Sequence, residues 1–328
     1  MSQKKKQNVK ISEWLLEIIL LVMIVLFGII AKNFLSVSNL FNILRSISFK
    51  GIIACMMTLV IISGEIDLSV GSTVAFAGVV TAYFNKLFSQ TLGMPAAAAI
   101  LAAMVLALAL SALVGMVIAM ITTRLRVPSF IVTMAAMQLL RGAALLTANG
   151  FPIQGYPSWF KFLGSGYVGP VPFPAIVFAV FLFITYYILT QTPFGRSVYA
   201  VGSNAAAAEL SGLNVKRIKT TIFMLTSVAA GIAGIMVSAQ LNSGSPNVGE
   251  SYEMDAIASV IIGGASLSGG SGTIRGTLVG CIFTGILMNS MTLLGISDYW
   301  QYVVRGSLIV FAVFLNTMVK EALEEREK

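Results

Sequence analysis

Glu65 and Asp67 are the first side chains in the sequence with the chemistry to bind a ligand. They are the only acidic residues between Glu17 and Glu209, and apolar segments flank them on both sides. Carboxylates near membrane depth are costly and usually serve a function or have a charged partner. The pair could therefore bind a sugar hydroxyl or an ion. Retaining glycosidases also use two carboxylates, but these two are only two residues apart, and nothing else in the sequence resembles a sugar-cleaving cleft.

The same pair also has a structural interpretation. Asp67 and Ser69 come directly before Val70 and Gly71. An acidic or hydroxyl side chain at this position caps the free N–H groups of a starting helix and interacts well with its dipole. A solvated loop is a third possibility, and the sequence alone leaves all three open.

Residues 263–272 are rich in glycine, which raises the possibility of a phosphate-binding loop. No Gly-Lys-Ser/Thr follows, and the pattern G-x-x-x-x-G-K-[ST] occurs nowhere in the chain. Small residues also let membrane helices approach closely and let the backbone bend. We therefore expect a chain that does not itself bind or hydrolyse ATP and needs no cofactor. The candidates for a helix break or for the lining of a pathway are Glu65, Asp67, Ser69, Gly71, Gly263, Gly264, Ser268, Gly269 and Gly270.

Histidine is absent from the sequence, and the two cysteines lie in apolar runs. This excludes histidine-based metal sites, Ser-His-Asp triads and imidazole proton relays. Cys55 and Cys281 are predicted to be small core residues, not a disulfide or a metal pair. An integral-membrane enzyme is therefore improbable.

The composition predicts an all-α membrane protein. Hydrophobic residues make up 57% of the chain and charged residues 10%, against roughly 45–50% and 25% in soluble domains. The net charge of +8 is better explained by loops on the cytoplasmic side of a membrane than by nucleic acid. A basic stripe with interleaved aromatic residues, which single strands need, is missing.

About ten apolar segments are visible, which predicts a polytopic bundle of about ten helices, some of them discontinuous. The second and eighth segments are short and run into glycine-bearing breaks, so they could be half-helices or re-entrant. The segments are 14–31, 50–63, 70–88, 95–121, 129–148, 174–190, 220–241, 256–268, 275–294 and 300–318.

The positive charges give the orientation. With the N-terminus inside, the cytoplasmic pieces hold 14 of the 21 Lys and Arg, and an even number of crossings returns the C-terminus to the cytoplasm. Residues 242–255, with Glu250, Glu253 and Asp255, fall outside. The agreement is imperfect because four cations are placed near the outer face: Lys32, Arg45, Lys50 and Lys86. The predicted organisation is a cytoplasmic tail 1–13, a transmembrane domain 14–318 with loops 149–174 outside and 191–219 inside, and a cytoplasmic tail 319–328.

Two internal echoes suggest duplicated halves, which are common in transporters. Val60–Gly64 resembles Val260–Gly264, and Leu113–Gly115 resembles Leu278–Gly280. In the predicted topology the first pair is parallel and the second inverted. One symmetry operation cannot give both, so one echo is chance or one helix is miscounted.

The loop 191–219 differs from its apolar surroundings because it is basic and contains an alanine run. Asn204 is a plausible N-cap, the alanines favour a short helix to Leu210, and Gly212 would end it. A basic loop beside a membrane is often only an orientation signal. A capped helix with a defined end, however, is a rigid element that a partner protein could bind and move.

Three stretches in this chain resemble the bacterial ABC-importer permeases of the ribose and simple-sugar type. They are Gly64–Gly71, Gly202–Val215 and Gly263–Gly270, and the resemblance extends in order from about residue 35 to about residue 317. The departures are Glu65 and Ser203, where the family usually has Gly, and Leu213, where it usually has Ile. Of these, Glu65 matters most because it adds a carboxylate beside Asp67.

The resemblance implies a permease subunit that forms half of the translocation path for a monosaccharide or similar small polar solute. Its implied partners are a cytoplasmic ATPase subunit, an external solute-binding protein and a second permease copy, identical or closely related, in the bacterial inner membrane. The loop would then be a coupling element that fits a groove of the ATPase. Its candidate residues are Gly202, Asn204, Ala207, Ala208, Glu209, Ser211, Gly212, Asn214 and Val215.

The external loop 149–174 has five prolines and an aromatic face. Tyr156, Trp159 and Phe160 could form an interfacial belt or, as the resemblance favours, a platform for the binding protein. The alternative function is a stand-alone secondary transporter with Glu65 and Asp67 as its ion-coupling carboxylates. That class would favour buried acidic residues in the second half, and none is evident there.

Overall fold

The computed structural model describes the backbone of residues 15–327 and the side chains of residues 16–314. The predicted N-terminal tail 1–13 lies outside the described residues, as does Lys328. The last helix runs to Glu327, so most of the predicted C-terminal tail continues a helix.

Residues 15–327 form a helical bundle with four two-residue strands. The helices are α1 Leu15–Ile30, α2 Val37–Ile62, α3 Val70–Lys86, α4 Ala96–Arg124, α5 Ser129–Thr147, α6 Phe162–Ser165, α7 Phe173–Gln191, α8 Pro193–Ser203, α9 Ala205–Leu210, α10 Val215–Leu241, α11 Tyr252–Ile262, α12 Ile274–Leu293 and α13 Asp298–Glu327. The strands are β1 Ile153–Gln154, β2 Tyr167–Val168, β3 Val171–Pro172 and β4 Ser243–Gly244. They pair antiparallel as β1 with β4 and β2 with β3. The all-α class is confirmed.

Six helices in the described chain are long and apolar enough to cross a membrane: α2, α4, α5, α7, α10 and α12. They divide into two groups by burial. About four fifths of the apolar window is buried in α2 (83%) and α10 (78%), against 22% in α5. Helices α2 and α10 therefore form the centre of the bundle, and the exposed apolar faces of α4, α5 and α7 lie at its periphery.

Small residues bring the central helices together. A Cβ on Gly234 of α10 would collide with the backbone of Val74 in α3, and a Cβ on Gly115 of α4 would lie 2.8 Å from Met224 Cα. Ala230 and Ser238 of α10 are also buried. These small residues, spaced four apart on α10, form a stripe along which α3 approaches closely.

The second predicted segment was too short. Helix α2 begins at Val37 and runs for 26 residues, with Ser36 as its N-cap. The apolar run in the sequence is interrupted by Arg45 and Lys50, which set the predicted start at residue 50. Lys50 therefore lies in the middle of α2, where Asp255 supplies its counter-charge at 2.6 Å.

The eighth segment is a short helix, as the sequence suggested, but its first turn carries buried acidic residues, which the sequence analysis did not expect in the second half of the chain. Helix α11 has only 11 residues. In its first turn Glu253 is 9% exposed and Asp255 4% exposed. Residues 242–251, which precede α11, have no helical structure. Within this segment the carbonyls of Pro246 (2.5 Å) and Val248 (2.8 Å) accept hydrogen bonds from Arg141 Nη1. Without these bonds the irregular backbone would leave buried carbonyls unpaired.

The similar segments Val60–Gly64 and Val260–Gly264 form two helix ends with the same geometry. The N–H of Glu65 bonds to the Val60 carbonyl, and the N–H of Ala265 bonds to the Val260 carbonyl (3.1 and 3.2 Å). Gly64 and Gly264 both have a left-handed φ, of 77° and 89°. Each is a Schellman-type end that leads the chain out of the helix into a break.

Candidate functional site

The predicted coupling loop folds as two helices, α8 and α9. Thr192 caps α8 by accepting from the Gly195 N–H (3.1 Å). Asn204 Oδ1 caps α9 by accepting from the Ala207 N–H (3.0 Å), and Gly212 ends it with φ of 86°. The predicted short helix, its cap and its glycine end are confirmed. The helix α8 was missed because 191–203 contains the polar and glycine residues typical of a loop.

Helix α9 packs one face against the rest of the chain and exposes the other face. Ala208 is buried, and Val215 is half-buried at the start of α10. The exposed residues of α9 and its flanks include Asn204, Ala206, Ala207, Glu209, Leu210, Ser211, Gly212 and Asn214. Leu210 is 91% exposed, and we did not include it among the candidates. The sequence did contain a signal for Leu210: it is an apolar residue at the end of a short predicted helix in a polar loop.

Helix α8 contacts both helix breaks, 63–69 and 263–272, and we call this meeting point the junction. The last carbonyl of α2, that of Ile62, accepts from the Gly270 N–H (2.8 Å). Gly202 of α8 lies against both groups: a Cβ there would collide with the Ile62 carbonyl oxygen and come within 2.7 Å of the Gly270 nitrogen. The three stretches that carry the family resemblance therefore meet in space.

The same packing holds between the two breaks themselves. A Cβ on Gly269 would lie 2.7 Å from the Gly202 carbonyl oxygen and 3.0 Å from Gly64 Cα. Gly263 lies directly against Gly276 of α12. Gly264 and Ser268 are exposed. The short distances explain why side chains are excluded from most of these positions.

Tyr199 ties α8 to the second break. Its hydroxyl donates to the Gly272 carbonyl (2.8 Å). Burial raises the pKa of the Tyr199 hydroxyl above its ordinary value, so the proton needed for this hydrogen bond stays in place at neutral pH.

Glu65 ties the first break to α10. Its Oε1 forms an ion pair with Nζ of Lys219, and both side chains are largely buried, at 11% and 17% exposed. Lys219 lies one turn after Asn214, which caps α10 by accepting from the Arg217 N–H (3.0 Å). The pair thus connects the α2–α3 break to the helix that leaves the coupling loop.

Asp67 makes a local contact just before α3, and no side chain caps the helix itself. Asp67 is fully buried, and its Oδ1 accepts from the N–H (2.9 Å) and the hydroxyl (2.6 Å) of Ser69. The neighbouring Ile66 N–H donates to Ser129 Oγ of α5 (3.3 Å). Gly71, one turn further on, lies against Glu253 and Gly249. The break is therefore fixed to three other segments of the bundle.

The predicted docking residues lie at the end of the bundle that carries the β1–β4 pair. Tyr156 donates to the Gly78 carbonyl (3.2 Å). Phe160 is completely buried, whereas Trp159 is 45% exposed. Of the three, only Trp159 offers a large surface, so Tyr156 and Phe160 hold the loop in place.

The chain matches the family model described as branched-chain amino acid transport system / permease component over residues 39–313. It is 41% identical to the ribose import permease protein RbsC of Escherichia coli K12, covering 92% of this chain and 94% of that protein. It is 36% identical to the L-arabinose ABC transporter permease protein AraH of Azospirillum brasilense, covering 91% and 86%. It is 31% identical to the xylose transport system permease protein XylH of Haemophilus influenzae, covering 97% and 100%.

A search of solved structures returns no match. The bacterial relatives and the apolar helices place the chain in the bacterial inner membrane as a multi-pass protein. The family model, the coverage of the relatives and the convergence of the three stretches agree, and they describe a transport component and not an enzyme. The chain belongs to the permease family of ATP-binding-cassette importers, in the group that contains the ribose and other simple-sugar permeases.

Proposed function

We propose that this chain is the permease subunit of an importer for a monosaccharide or a similar small polar solute. ATP would be hydrolysed on a separate ATPase subunit, and an external binding protein would deliver the solute. The named solutes of the relatives, ribose, xylose and arabinose, support this class.

The proposed arrangement has ten crossings with both termini in the cytoplasm. The crossings are α1, α2, α3, α4, α5, α7, α10, α11 with its preceding segment, α12 and α13. The junction and helices α8 and α9 would face the cytoplasm, and the β1–β4 pair would face outward. A second copy, identical or closely related, would complete the path between two permeases.

One observation supports the proposal: the capped, exposed helix α9 follows directly on α8, and Gly202 of α8 contacts both helix breaks. Movement of α9 would therefore reach Ile62 and Gly270 through α8, since the backbones of Gly202, Ile62 and Gly270 are in contact. An ATPase that closes on the exposed face of α9 could therefore bias the membrane helices between two arrangements. The exposed face of Trp159 would contact the binding protein at the other end.

The experiment is uptake into proteoliposomes that contain the chain, its ATPase and its binding protein. We expect uptake of D-ribose, D-xylose or L-arabinose only with internal ATP, and no ATP hydrolysis by the chain alone. Uptake driven by an ion gradient without ATP would contradict the proposal.

A matched pair of variants tests the coupling helix. Leu210→Asp should reduce uptake by about tenfold or more, because it would bury a carboxylate without a partner in the contact with the ATPase. Leu92→Asp makes the same change at a leucine that is 63% exposed in the turn after α3, at the other end of the bundle. It should leave uptake unchanged. Equal effects of the two variants would contradict the coupling role.

A further inference from the structure

A groove of about 650 Å³ lies at the junction end of the bundle, between α1, α7, α8 and α12. Helices α1 and α7 both contact α12, so the groove lies where these three helices converge. Its volume is in the range of roughly 300–1,000 Å³ that ligand sites occupy. In the described part of the chain its lining combines apolar side chains, such as Leu189 and Val279, with hydroxyl groups and two charged residues, Glu17 and Arg275. Tyr186, on its rim, is 50% exposed, so the groove is open to its surroundings.

The groove lies at the level of the helix ends. Glu17 is the third residue of α1, Arg275 is the second residue of α12, and Thr190 is the last but one of α7. Each of them is therefore within one turn, about 5 Å, of the end of its helix. Since α7 and α12 are apolar enough to cross a membrane, this level corresponds to the boundary between the hydrocarbon and the headgroups.

An exposed apolar surface continues from the groove toward the middle of the helices. Leu21 lies one turn after Glu17 on α1 and is 64% exposed, and Phe183 lies one turn before Tyr186 on α7 and is 68% exposed. Residues three or four apart share a helix face, so these side chains extend two walls of the groove. A polar groove at the boundary with an apolar surface next to it matches a phospholipid, whose headgroup and acyl chains need these two environments in this order.

The charges in the groove indicate which headgroup. Arg275 Nη2 donates to Glu17 Oε1 (3.0 Å), and both side chains reach the surface, at 62% and 26% exposed. The formal charges of the described lining therefore sum to zero, which favours a zwitterionic headgroup over one with a net charge. A carboxylate accepts at two oxygens and a guanidinium donates from five N–H groups, so each can hold its partner and a ligand at the same time. Glu17 would accept from an ammonium group, and Arg275 would donate to a phosphate.

We propose that this groove binds the phosphoethanolamine headgroup of an aminophospholipid, with the ammonium group on Glu17 and the phosphate on Arg275. Tyr199 of α8 and Gly263 of the second break also line the groove, so a bound headgroup would hold α8 against that break. The inference goes beyond the proposed function. It needs these helix ends to lie at a membrane surface, whichever solute the chain transports.

The test measures lipid binding to the purified full-length chain in detergent by native mass spectrometry. Phosphatidylethanolamine, phosphatidylcholine and phosphatidylglycerol with the same acyl chains are added at equal concentration. Phosphatidylcholine keeps the phosphate and the positive charge, but its quaternary ammonium has no N–H to donate. We expect the wild type to retain phosphatidylethanolamine about fivefold or more over the other two lipids, because hydrogen bonds between charged groups are among the strongest in proteins.

Two variants separate the two contacts. Glu17→Gln should lower the retention of phosphatidylethanolamine to that of phosphatidylcholine, because the negative charge that holds the ammonium group is lost. Arg275→Gln should lower the retention of all three lipids about threefold or more, because the phosphate is common to them. The matched controls are Glu209→Gln and Arg124→Gln, which make the same changes at exposed residues outside the groove lining. Both controls should bind lipid like the wild type.

A third variant covers the case in which a charge variant fails to fold. Thr190→Trp leaves both charges in place and fills part of the groove with a larger side chain. Thr190 is exposed in the last turn of α7, so the added bulk does not disturb the core. We expect the retention of phosphatidylethanolamine to fall about threefold or more.

The outcomes separate the inference from the proposed function. Equal retention of phosphatidylethanolamine and phosphatidylcholine by the wild type would overturn the inference, as would a preference that persists in Glu17→Gln. Preferential retention of phosphatidylglycerol would assign the binding to cations outside the groove and would overturn it as well. If no lipid is retained and the groove variants convert a dimer into monomers, a second copy covers the groove and the inference is wrong. None of these results bears on sugar uptake, so the proposed function is decided by its own experiment.

Discussion

At the scale of single residues, Glu65 is the position where this chain departs most from the family it resembles. Its carboxylate does not stand alone, because it pairs with Lys219 across 154 residues of sequence. The sequence showed that a carboxylate near a helix break needs a partner. The partner could not be identified, because several lysines and arginines were equally available and only the packing of α10 against the break selects one.

Charge reversal at Glu65 and Lys219 should reveal how much the pair stabilises the junction. Glu65→Lys and Lys219→Glu each place like charges together, and each should lower the free energy of unfolding by roughly 1–3 kcal/mol, between the values for exposed and buried pairs. The double variant restores opposite charges and should recover at least half of the loss. The measurement is thermal unfolding in detergent. Strictly additive losses in the double variant would show that the two residues do not interact.

At the scale of elements, the local signals were the ones that could be predicted. Asn204, Gly212 and Asn214 act within one helical turn, so their capping roles follow from residue type and position. The start of α2 could not be predicted, since Lys50 breaks the apolar run and its counter-charge comes from α11. The partial burial of segment 242–251 was missed for the same reason: two of its carbonyls, those of Pro246 and Val248, accept from Arg141 of α5.

The contact between α8 and the two breaks depends on Gly202, so a methyl group there should disturb it. Gly202→Ala would place a Cβ against the Ile62 carbonyl and the Gly270 nitrogen. We expect a loss of about 1–3 kcal/mol in unfolding free energy, which is typical of overpacking, together with reduced uptake.

Gly306→Ala is the control for that substitution. Gly306 lies in α13 with open space around its Cβ position, and alanine is a better helix former than glycine. Stability and uptake should therefore stay the same or improve slightly. If Gly202→Ala behaved like Gly306→Ala, the junction would not be a close contact, and its proposed role in transmitting movement would fail.

At the scale of the whole molecule, the bundle places two kinds of polar group at different depths. The junction lies at one end, where backbone groups of three segments meet. The ion pairs of Asp255 with Lys50 and Arg305 lie deeper, where they connect α2, α11 and α13. Helices α2 and α11 take part in both, because each ends at the junction and carries a residue of these ion pairs, Lys50 or Asp255. A shift of these helices would therefore change the junction and the ion pairs together, so that movement at the junction would reach the interior of the bundle.

This arrangement transports inward only if the junction faces the cytoplasm, and that orientation can be measured directly. Ser211 is exposed beside α9, and Phe151 is 77% exposed in the loop after α5. The native thiols give a low background because Cys55 and Cys281 are both buried. In intact spheroplasts, a membrane-impermeant maleimide should label Phe151→Cys but not Ser211→Cys, and permeabilised cells should label both. Labelling of Ser211→Cys in intact spheroplasts would place α9 outside, out of reach of an ATPase, and the coupling mechanism would be wrong even if the chain transports sugar.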